Sequence, residues 1–216
     1  ELEKEKGKTV LIGLSTTKDV QYAILADKER AKTIDLIDIR YWHYQFNGTT
    51  YEPKGGQNLA PRQHARLLNP KRSSFEQVYR AVAEYRQKFP TKAVTYSGDS
   101  YDSFGWAVFM AGGSLANLPQ GLPKDFLKDA SEMSPLTLSN KPSNQWGLGV
   151  LDKKYILYKE GSEDITLDLS NAKGTFQVSF LNPKDGKVIE TTTIAGGSLV
   201  SLQAKTKGAS VIWIRK

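Results

Sequence analysis

The sequence predicts an α/β domain followed by a small all-β antiparallel sandwich. Two observations lead to this fold class. Up to about residue 118, short apolar runs alternate with stretches of helical periodicity, and from residue 145 onwards every segment between turn residues has the composition of a strand. We therefore expect an α/β part over 1–118, a connection with one short helix over 119–144, and a sandwich over 145–216.

The first part contains three units in which a strand is followed by a helix. The predicted strands are Val10–Leu14, Ile34–Trp42 and Ala93–Ser97, each rich in β-branched or aromatic residues. After the first strand, Ser15 and Thr17 have the residue types that cap helices. Because a crossover helix connects parallel strands, we expect the three strands to pair in parallel with helices on one side.

Two further elements of this part are marked by short-range patterns. Asn47-Gly48 is typical of a tight hairpin turn between Tyr44 and Tyr51. Apolar residues at helical spacing predict a helix from Phe75 to Phe89, which Pro90 ends, and Ser73 and Glu76 have the spacing of a capping box at its start.

The remainder of the chain contains a proline-rich segment and seven short strands. The segment carries a predicted helix around Phe126. Apolar and polar residues alternate around Phe180 and around Ile212, which predicts that both side chains line the sandwich core. Trp213 then falls on the opposite face of its strand, where it either packs on the first part or forms a binding platform. The predicted strands are Trp146–Val150, Lys154–Tyr158, Ile165–Leu169, Gly174–Leu181, Lys187–Ile194, Ser198–Leu202 and Val211–Ile214.

Composition excludes several classes of protein. The 30 basic residues exceed the 23 acidic ones by 7, but they are scattered, which disfavours nucleic acid as a partner. The absence of cysteine excludes a disulfide scaffold, a thiol nucleophile and a cysteine-based zinc site. No run approaches the roughly 18 apolar residues of a membrane span. Five of the first six residues are charged, and the segment lacks the apolar region of a signal peptide, so an exported form would already have lost its signal.

The second strand carries the clearest candidate site. Side chains alternate along a strand, so Asp38, Arg40 and Trp42 are predicted to share one face. A carboxylate and a guanidinium can hydrogen-bond sugar hydroxyls, and an indole can stack on a sugar ring, so we take Asp38 as the candidate catalytic residue and the other two as substrate-binding residues. The alternative is a structural ion pair between Asp38 and Arg40.

Other polar residues near predicted strand ends extend this candidate site. His43 and Asp99 are expected at its rim, and Arg62 and His64 follow a long loop where they can bind a carboxylate or a sugar hydroxyl. Asp102 is interpreted as a helix cap. With two histidines and no clustered acids, neither a metal site nor a cofactor is expected.

Three parallel strands cannot close a barrel, since a (β/α)₈ barrel takes roughly 250 residues. The pattern leaves two alternatives. Either the first part is a small open α/β sheet, or it is the end of a barrel that starts outside this sequence.

The segments Ile34–Tyr44 and Gly55–His64 resemble the C-terminal part of secreted bacterial glycoside hydrolase-like TIM barrels, the apiosidase-like proteins and their relatives encoded with polysaccharide-utilisation genes. Gly105–Gly113, which includes Trp106, resembles the last helix of such barrels. The tail, with Gly174–Pro183 and Trp213, is similar to the small β-sandwich classed as a collagen-binding domain that follows them.

The resemblance implies a partial (β/α)₈ barrel, comprising its last three or so units, followed by the sandwich. It implies a secreted, periplasmic or cell-surface protein that acts on plant or host glycans, with Trp106 near the substrate. The acid/base carboxylate expected near the fourth barrel strand is absent, so we expect the chain alone to be inactive. We also expect an unpaired strand edge that is covered by the missing barrel half, by a second copy or by the chain's own N-terminal helix. The alternative is a non-catalytic module that binds a carbohydrate or a protein.

Overall fold

The structure of the protein is a computed structural model. It divides into two compact units, Glu1–Asn117 and Leu118–Lys216. No helix within the described part is long and apolar enough to cross a membrane. The structure describes residues 7, 10–45, 47–52, 73–98, 101–138, 143–203, 205–206 and 208–216, with side chains omitted at 101 and 102.

The first unit alternates strands and helices. Its elements are β1 (Gly13–Thr16), α1 (Lys18–Ala26), α2 (Lys28–Thr33), β2 (Leu36–Ile39), β3 (His43–Tyr44), β4 (Thr50–Tyr51), α3 (Phe75–Lys88), β5 (Ala93–Tyr96), a 3₁₀ turn (Tyr101–Phe104) and α4 (Gly105–Met110).

A three-stranded parallel sheet forms the centre of the first unit, in the order β1-β2-β5. This confirms the predicted parallel pairing. Ile37 and Ile39 of β2 are fully buried, whereas Asp38 between them points to the other, partly exposed face. Since α1 contacts β1 and α3 contacts β5, the apolar face is the one that the helices cover. The opposite face is partly exposed and carries polar side chains toward the carboxyl ends of the strands.

Local signals place the helix and the hairpin correctly, with one shift. The helix α3 begins after Ser74, whose side chain accepts from the backbone N–H of Gln77 while the Gln77 side chain accepts from the backbone N–H of Ser74. The capping box predicted at Ser73 and Glu76 is therefore one residue too early. The predicted hairpin is present as β3 paired antiparallel with β4.

The described residues of the second unit form one short helix and eight strands, and the strands all pair antiparallel. Its elements are α5 (Phe126–Ala130), β6 (Ser134–Leu136), β7 (Gln145–Val150), β8 (Lys154–Lys159), β9 (Ile165–Asp168), β10 (Thr175–Leu181), β11 (Val188–Ala195), β12 (Leu199–Leu202) and β13 (Ser210–Arg215).

Six of these strands form one sheet in the order β11-β10-β13-β8-β7-β6, and β12 pairs with β9 in a second sheet. The side chains that alternation predicted for the core lie between them, including Phe180 at 3% exposure and Ile212 at 0%. The sequence missed β6, because Pro135 argues against a strand; its edge position, paired on one side with β7, explains why proline is tolerated there.

Trp213 differs from its prediction. Its indole N–H donates to Asp129 of α5 at 3.1 Å, and its ring lies 5.6 Å from that of Phe126 on the same helix. Only 3% of Trp213 is exposed, so the predicted binding platform is wrong. The segment assigned to a connection supplies the cover, since α5 and β6 both belong to the second unit.

Candidate functional site

Asp38 lies near the carboxyl end of β2, in the middle of the parallel sheet. Its Cα faces Ser15 of β1 on one side and Thr95 of β5 on the other. Because residues in register across a sheet project to the same face, all three side chains lie on the open face. One residue beyond β5, Ser97 donates its backbone N–H to the carbonyl of Ile39, which extends this row.

Three hydroxyl groups donate to the Asp38 carboxylate. Thr95 donates to Oδ1 at 2.9 Å, and Ser15 and Ser97 both donate to Oδ2, at 2.8 and 2.6 Å. A carboxylate has about four acceptor directions, so most of its acceptor capacity is used. Ser15, interpreted from the sequence as a helix cap, thus donates a hydrogen bond to Asp38 instead. Thr17 is the N-cap residue of α1, but its side chain makes no capping hydrogen bond.

The backbone at Asp38 is held from the helix side. The Gln21 amide donates to the Asp38 carbonyl at 2.8 Å, and Gln21 itself is fully buried. Its oxygen accepts from the indole N–H of Trp42 at 3.0 Å and from the hydroxyl of Tyr85 at 2.8 Å. One glutamine thus ties β2 to α1 and α3, which fixes the position of the carboxylate on the other face of the sheet.

Arg40 and Trp42 do not share the site with Asp38. Arg40 makes no ion pair with Asp38; its guanidinium lies 5.6 Å from the ring of Tyr41, so the alternative of a structural ion pair is wrong. Trp42 is 1% exposed and lies against Tyr85, 4.9 Å between ring centroids. The prediction that Asp38, Arg40 and Trp42 share one face is wrong because β2 ends at Ile39 and the chain bends at Tyr41. Side chains beyond Ile39 therefore no longer alternate between the two faces of the sheet. The buried indole has no face left for a sugar ring.

Two of the remaining predicted residues are described, and both are buried. His43 is buried in β3 with its ring 5.2 Å from that of Tyr51, and Trp106 is buried in α4 with its ring 5.7 Å from that of Phe109. Arg62, His64 and Asp99 lie outside the described residues, and so does the side chain of Asp102. Across the described ranges, no group of three or more metal-ligating side chains is assembled.

A second polar cluster, which the sequence did not indicate, surrounds Glu84 of α3. Tyr22 and Tyr44 donate their hydroxyls to its carboxylate, both at 2.6 Å, and Lys88 and Lys18 lie 2.9 and 3.2 Å from it. Lys18 also lies 4.5 Å from the centre of the Trp42 ring. Only the Glu84–Lys88 pair, four residues apart on one helix, could be found from the sequence.

The electrostatics of this cluster follow from its contacts. Burial alone would raise the pKa of Glu84, but the hydrogen bonds from Tyr22, Tyr44 and Lys88 and the charge of Lys18 lower it to about 2. Burial, together with the hydrogen bond to Glu84, raises the pKa of Tyr44 to about 12. Glu84 is therefore a fixed anion that holds α1, α3 and β3 together.

Comparison with solved structures finds glycoside hydrolases of similar fold. The chain matches a protein described as a glycoside hydrolase with a TM-score of 0.58 at 12% identity, covering 99% of this chain and 59% of that one. It matches a glycoside hydrolase family 5 protein from Bacteroides vulgatus ATCC 8482 with a TM-score of 0.56 at 13% identity, covering 97% of this chain and 56% of that one. At these identities the likeness concerns the fold alone.

The chain spans less than two thirds of the length of the two glycoside hydrolases that it matches in structure. Two further comparisons concern the sequence. No curated protein matches it. The model of one family matches residues 1–133, more than half of the chain and the whole of the first unit. The chain therefore belongs to the family described as Domain of unknown function (DUF6298).

Proposed function

We propose that this chain is the C-terminal portion of a glycoside hydrolase-like protein, in which the first unit supplies the last three or so units of a (β/α)₈-type barrel. The parallel order β1-β2-β5, with helices on one face and polar side chains toward the strand ends of the other, supports this proposal, because the interior of such a barrel is the face opposite the helices. Further support comes from the two glycoside hydrolases, which this chain matches over little more than half their length.

The observation that carries the proposal is the Asp38 carboxylate on the open face near the strand ends. Active sites of barrels of this type lie at the carboxyl ends of the strands. The three hydroxyls hold the carboxylate in one orientation and use about three of its four acceptor directions, which leaves about one for a substrate. Such a group suits the base or nucleophile in glycoside hydrolysis, or the acceptor of a sugar hydroxyl, rather than the proton donor.

Hydrolysis of a glycosidic bond takes two carboxyl groups, about 5–5.5 Å apart for retention of configuration and about 6.5–9.5 Å for inversion. The partners of Asp38 in the described part of the chain are hydroxyls and the Gln21 amide. In the proposal the second carboxyl comes from a preceding barrel strand, and the 216-residue chain alone is inactive. The proposed complete protein is secreted, periplasmic or at the cell surface and acts on plant or host glycans.

The test compares a longer protein that carries the preceding barrel strands with the 216-residue chain, on a panel of plant and host glycosides. We expect hydrolysis by the longer protein alone, and Asp38→Asn should lower kcat at least about 100-fold, as expected for a general base or nucleophile. The matched control is Asp35→Asn, which changes the carboxylate directly before the start of β2 that accepts from the backbone N–H of Ile12. Hydrolysis by the 216-residue chain would refute the proposal that the second carboxyl lies outside it. Full activity of the Asp38→Asn variant would show that Asp38 has a structural role and not a catalytic one.

A second candidate function, a non-catalytic carbohydrate-binding module, is favoured by one feature of the second unit. A groove of about 100 Å³ lies beside β6, β8 and β9. Its lining combines apolar side chains with three hydroxyl groups, those of Thr137, Tyr155 and Thr166, and the carboxylate of Asp168. A few polar groups among apolar ones are typical of small-molecule sites. Glycan binding that Asp168→Asn weakens and Asp38→Asn does not would support this function over hydrolysis.

A further inference from the structure

The outer edge of the six-stranded sheet is formed by β11, the longest strand among the described residues. It pairs on one side with β10, and no strand of the described residues pairs with its other side. All of its residues except Ile194 are exposed, including Val188 at 46% and Ile189 at 48%. A free edge of this kind presents unpaired backbone N–H and C=O groups to another strand.

The two edges of this sheet differ in how they are protected. Proteins protect free edges with short strands, proline and charged side chains. The opposite edge, β6, has three residues and contains Pro135. In contrast, β11 has eight residues without proline or glycine, and its one charged residue, Glu190, pairs with Lys205 at 3.0 Å. The β11 edge is therefore long, rich in β-branched residues and locally neutral.

The geometry of β11 suits pairing with its own copy. Its pairing with β10 is irregular only near Ile189, so Glu190–Ala195 is a regular ladder. In an antiparallel strand, only every second residue points its backbone N–H and C=O toward the outer edge. Two copies can therefore pair only if outward-pointing residues lie opposite each other, and in a symmetric pair this places one residue opposite its own copy. Centring on Thr192 achieves this and sets Thr191 opposite Thr193 and Glu190 opposite Ile194. The two Glu190 side chains are then about 13 Å apart along the strand.

From these observations we propose that β11 is a homodimerisation edge, at which two copies of the chain pair antiparallel around Thr192 into a continuous twelve-stranded sheet. Because β6 is short and contains proline, the second edge cannot repeat the contact, and the assembly closes as a two-fold dimer instead of growing into a fibre. A single strand edge buries less area than a standard interface. The dimer is accordingly weak, with a dissociation constant of about 10 μM to 1 mM.

The first test measures mass by light scattering over a range of concentrations up to about 1 mM. We expect the unaltered chain to shift from monomer to dimer and Thr192→Lys to stay monomeric, because two lysines would face each other at the centre of the ladder. Thr91→Lys, at an exposed turn of the first unit, is the control for added charge and should dimerise like the unaltered chain. A chain that stays monomeric at all concentrations, forms open-ended assemblies, or dimerises equally with Thr192→Lys overturns the proposal.

The second test uses the absence of cysteine from the chain. In the proposed ladder the two Thr192 Cα atoms lie about 4.5–5.5 Å apart, within the range of a disulfide. Thr192→Cys should therefore form a covalent dimer on mild oxidation at least about tenfold faster than Lys173→Cys, which places a thiol in an exposed turn of the same unit. Equal rates for the two variants overturn the proposed register. The thermal unfolding midpoint of each variant shows that the fold is retained.

Discussion

Trp42 donates its indole N–H to the side-chain oxygen of Gln21 at a distance of 3.0 Å. Both side chains are buried, and the same glutamine oxygen accepts from Tyr85. This relationship explains why the candidate site contains no exposed indole: the end of β2 turns Trp42 toward the helices, where a buried amide satisfies its polar atom. Positioning of Asp38 on the opposite face depends on the same amide.

Replacing Gln21 with leucine should destabilise the first unit by about 3 kcal/mol. The substitution leaves the Trp42 N–H and the Tyr85 hydroxyl buried without a partner, and each unsatisfied group costs about 1–3 kcal/mol. Urea unfolding at neutral pH measures the change. Gln87→Leu, on the exposed side of α3, is the matched control and should change stability by less than about 0.5 kcal/mol. Equal unfolding midpoints for the two variants would contradict the role assigned to Gln21.

Acidification should weaken the first unit through Glu84. The folded-state pKa of Glu84 is about 2 and its ordinary value is 4.5, so the unfolded chain takes up the proton first as the pH falls. The stabilisation is complete above about pH 5 and is lost as the pH falls toward 2. Denaturant unfolding at several pH values measures the slope.

Glu84→Gln should be less stable at pH 7 and should flatten this pH dependence. The control is Glu29→Gln, which removes a carboxylate from an exposed pair with Lys32 and should leave the slope nearly unchanged, since exposed pairs contribute little. If the stability of Glu84→Gln still fell steeply with acidification, other carboxylates would be responsible for the pH dependence.

Substitutions of Trp213 should separate ring packing from hydrogen bonding in the second unit. Trp213→Ala removes the contact with Phe126 and should cost about 3–5 kcal/mol. Trp213→Phe keeps an aromatic ring and should cost only about 1 kcal/mol, because Lys154 still pairs with Asp129 at 3.1 Å after the indole N–H is lost. Thermal unfolding measures both. If the two variants were equally stable, α5 would not depend on this ring for its attachment.

How far the sequence predicts the structure depends on how local each feature is. The strands β7–β13 and the core position of Phe180 follow from period-two alternation and turn residues, which are properties of neighbouring residues. Parallel pairing of β1, β2 and β5 follows from the helices between them. These features were predictable because a single segment determines each of them.

The site required contacts that no segment determines alone. Ser15, Thr95 and Ser97 reach Asp38 from strands more than 20 residues away in sequence, and their roles depend on the register between strands. Trp42 was misplaced because alternation continues in the sequence beyond the residue at which the strand ends. In both cases tertiary packing overrides the local pattern.

A double-mutant cycle should measure how firmly the hydroxyl groups hold Asp38. Thr95→Val keeps the shape of the side chain but removes the donor to Asp38 Oδ1, and a hydrogen bond to a partly exposed carboxylate contributes about 1 kcal/mol. Because the lost donor matters only while the carboxylate is present, Thr95→Val should cost about 1 kcal/mol alone and almost nothing when combined with Asp38→Ala, a coupling of about 1 kcal/mol by urea unfolding. Thr91→Val, at an exposed turn outside the sheet, should show no coupling to Asp38→Ala. Additive effects of Thr95→Val and Asp38→Ala would mean that the hydrogen bond from Thr95 does not stabilise the carboxylate. Asp38 would then lack the fixed orientation on which its proposed role at the strand ends depends.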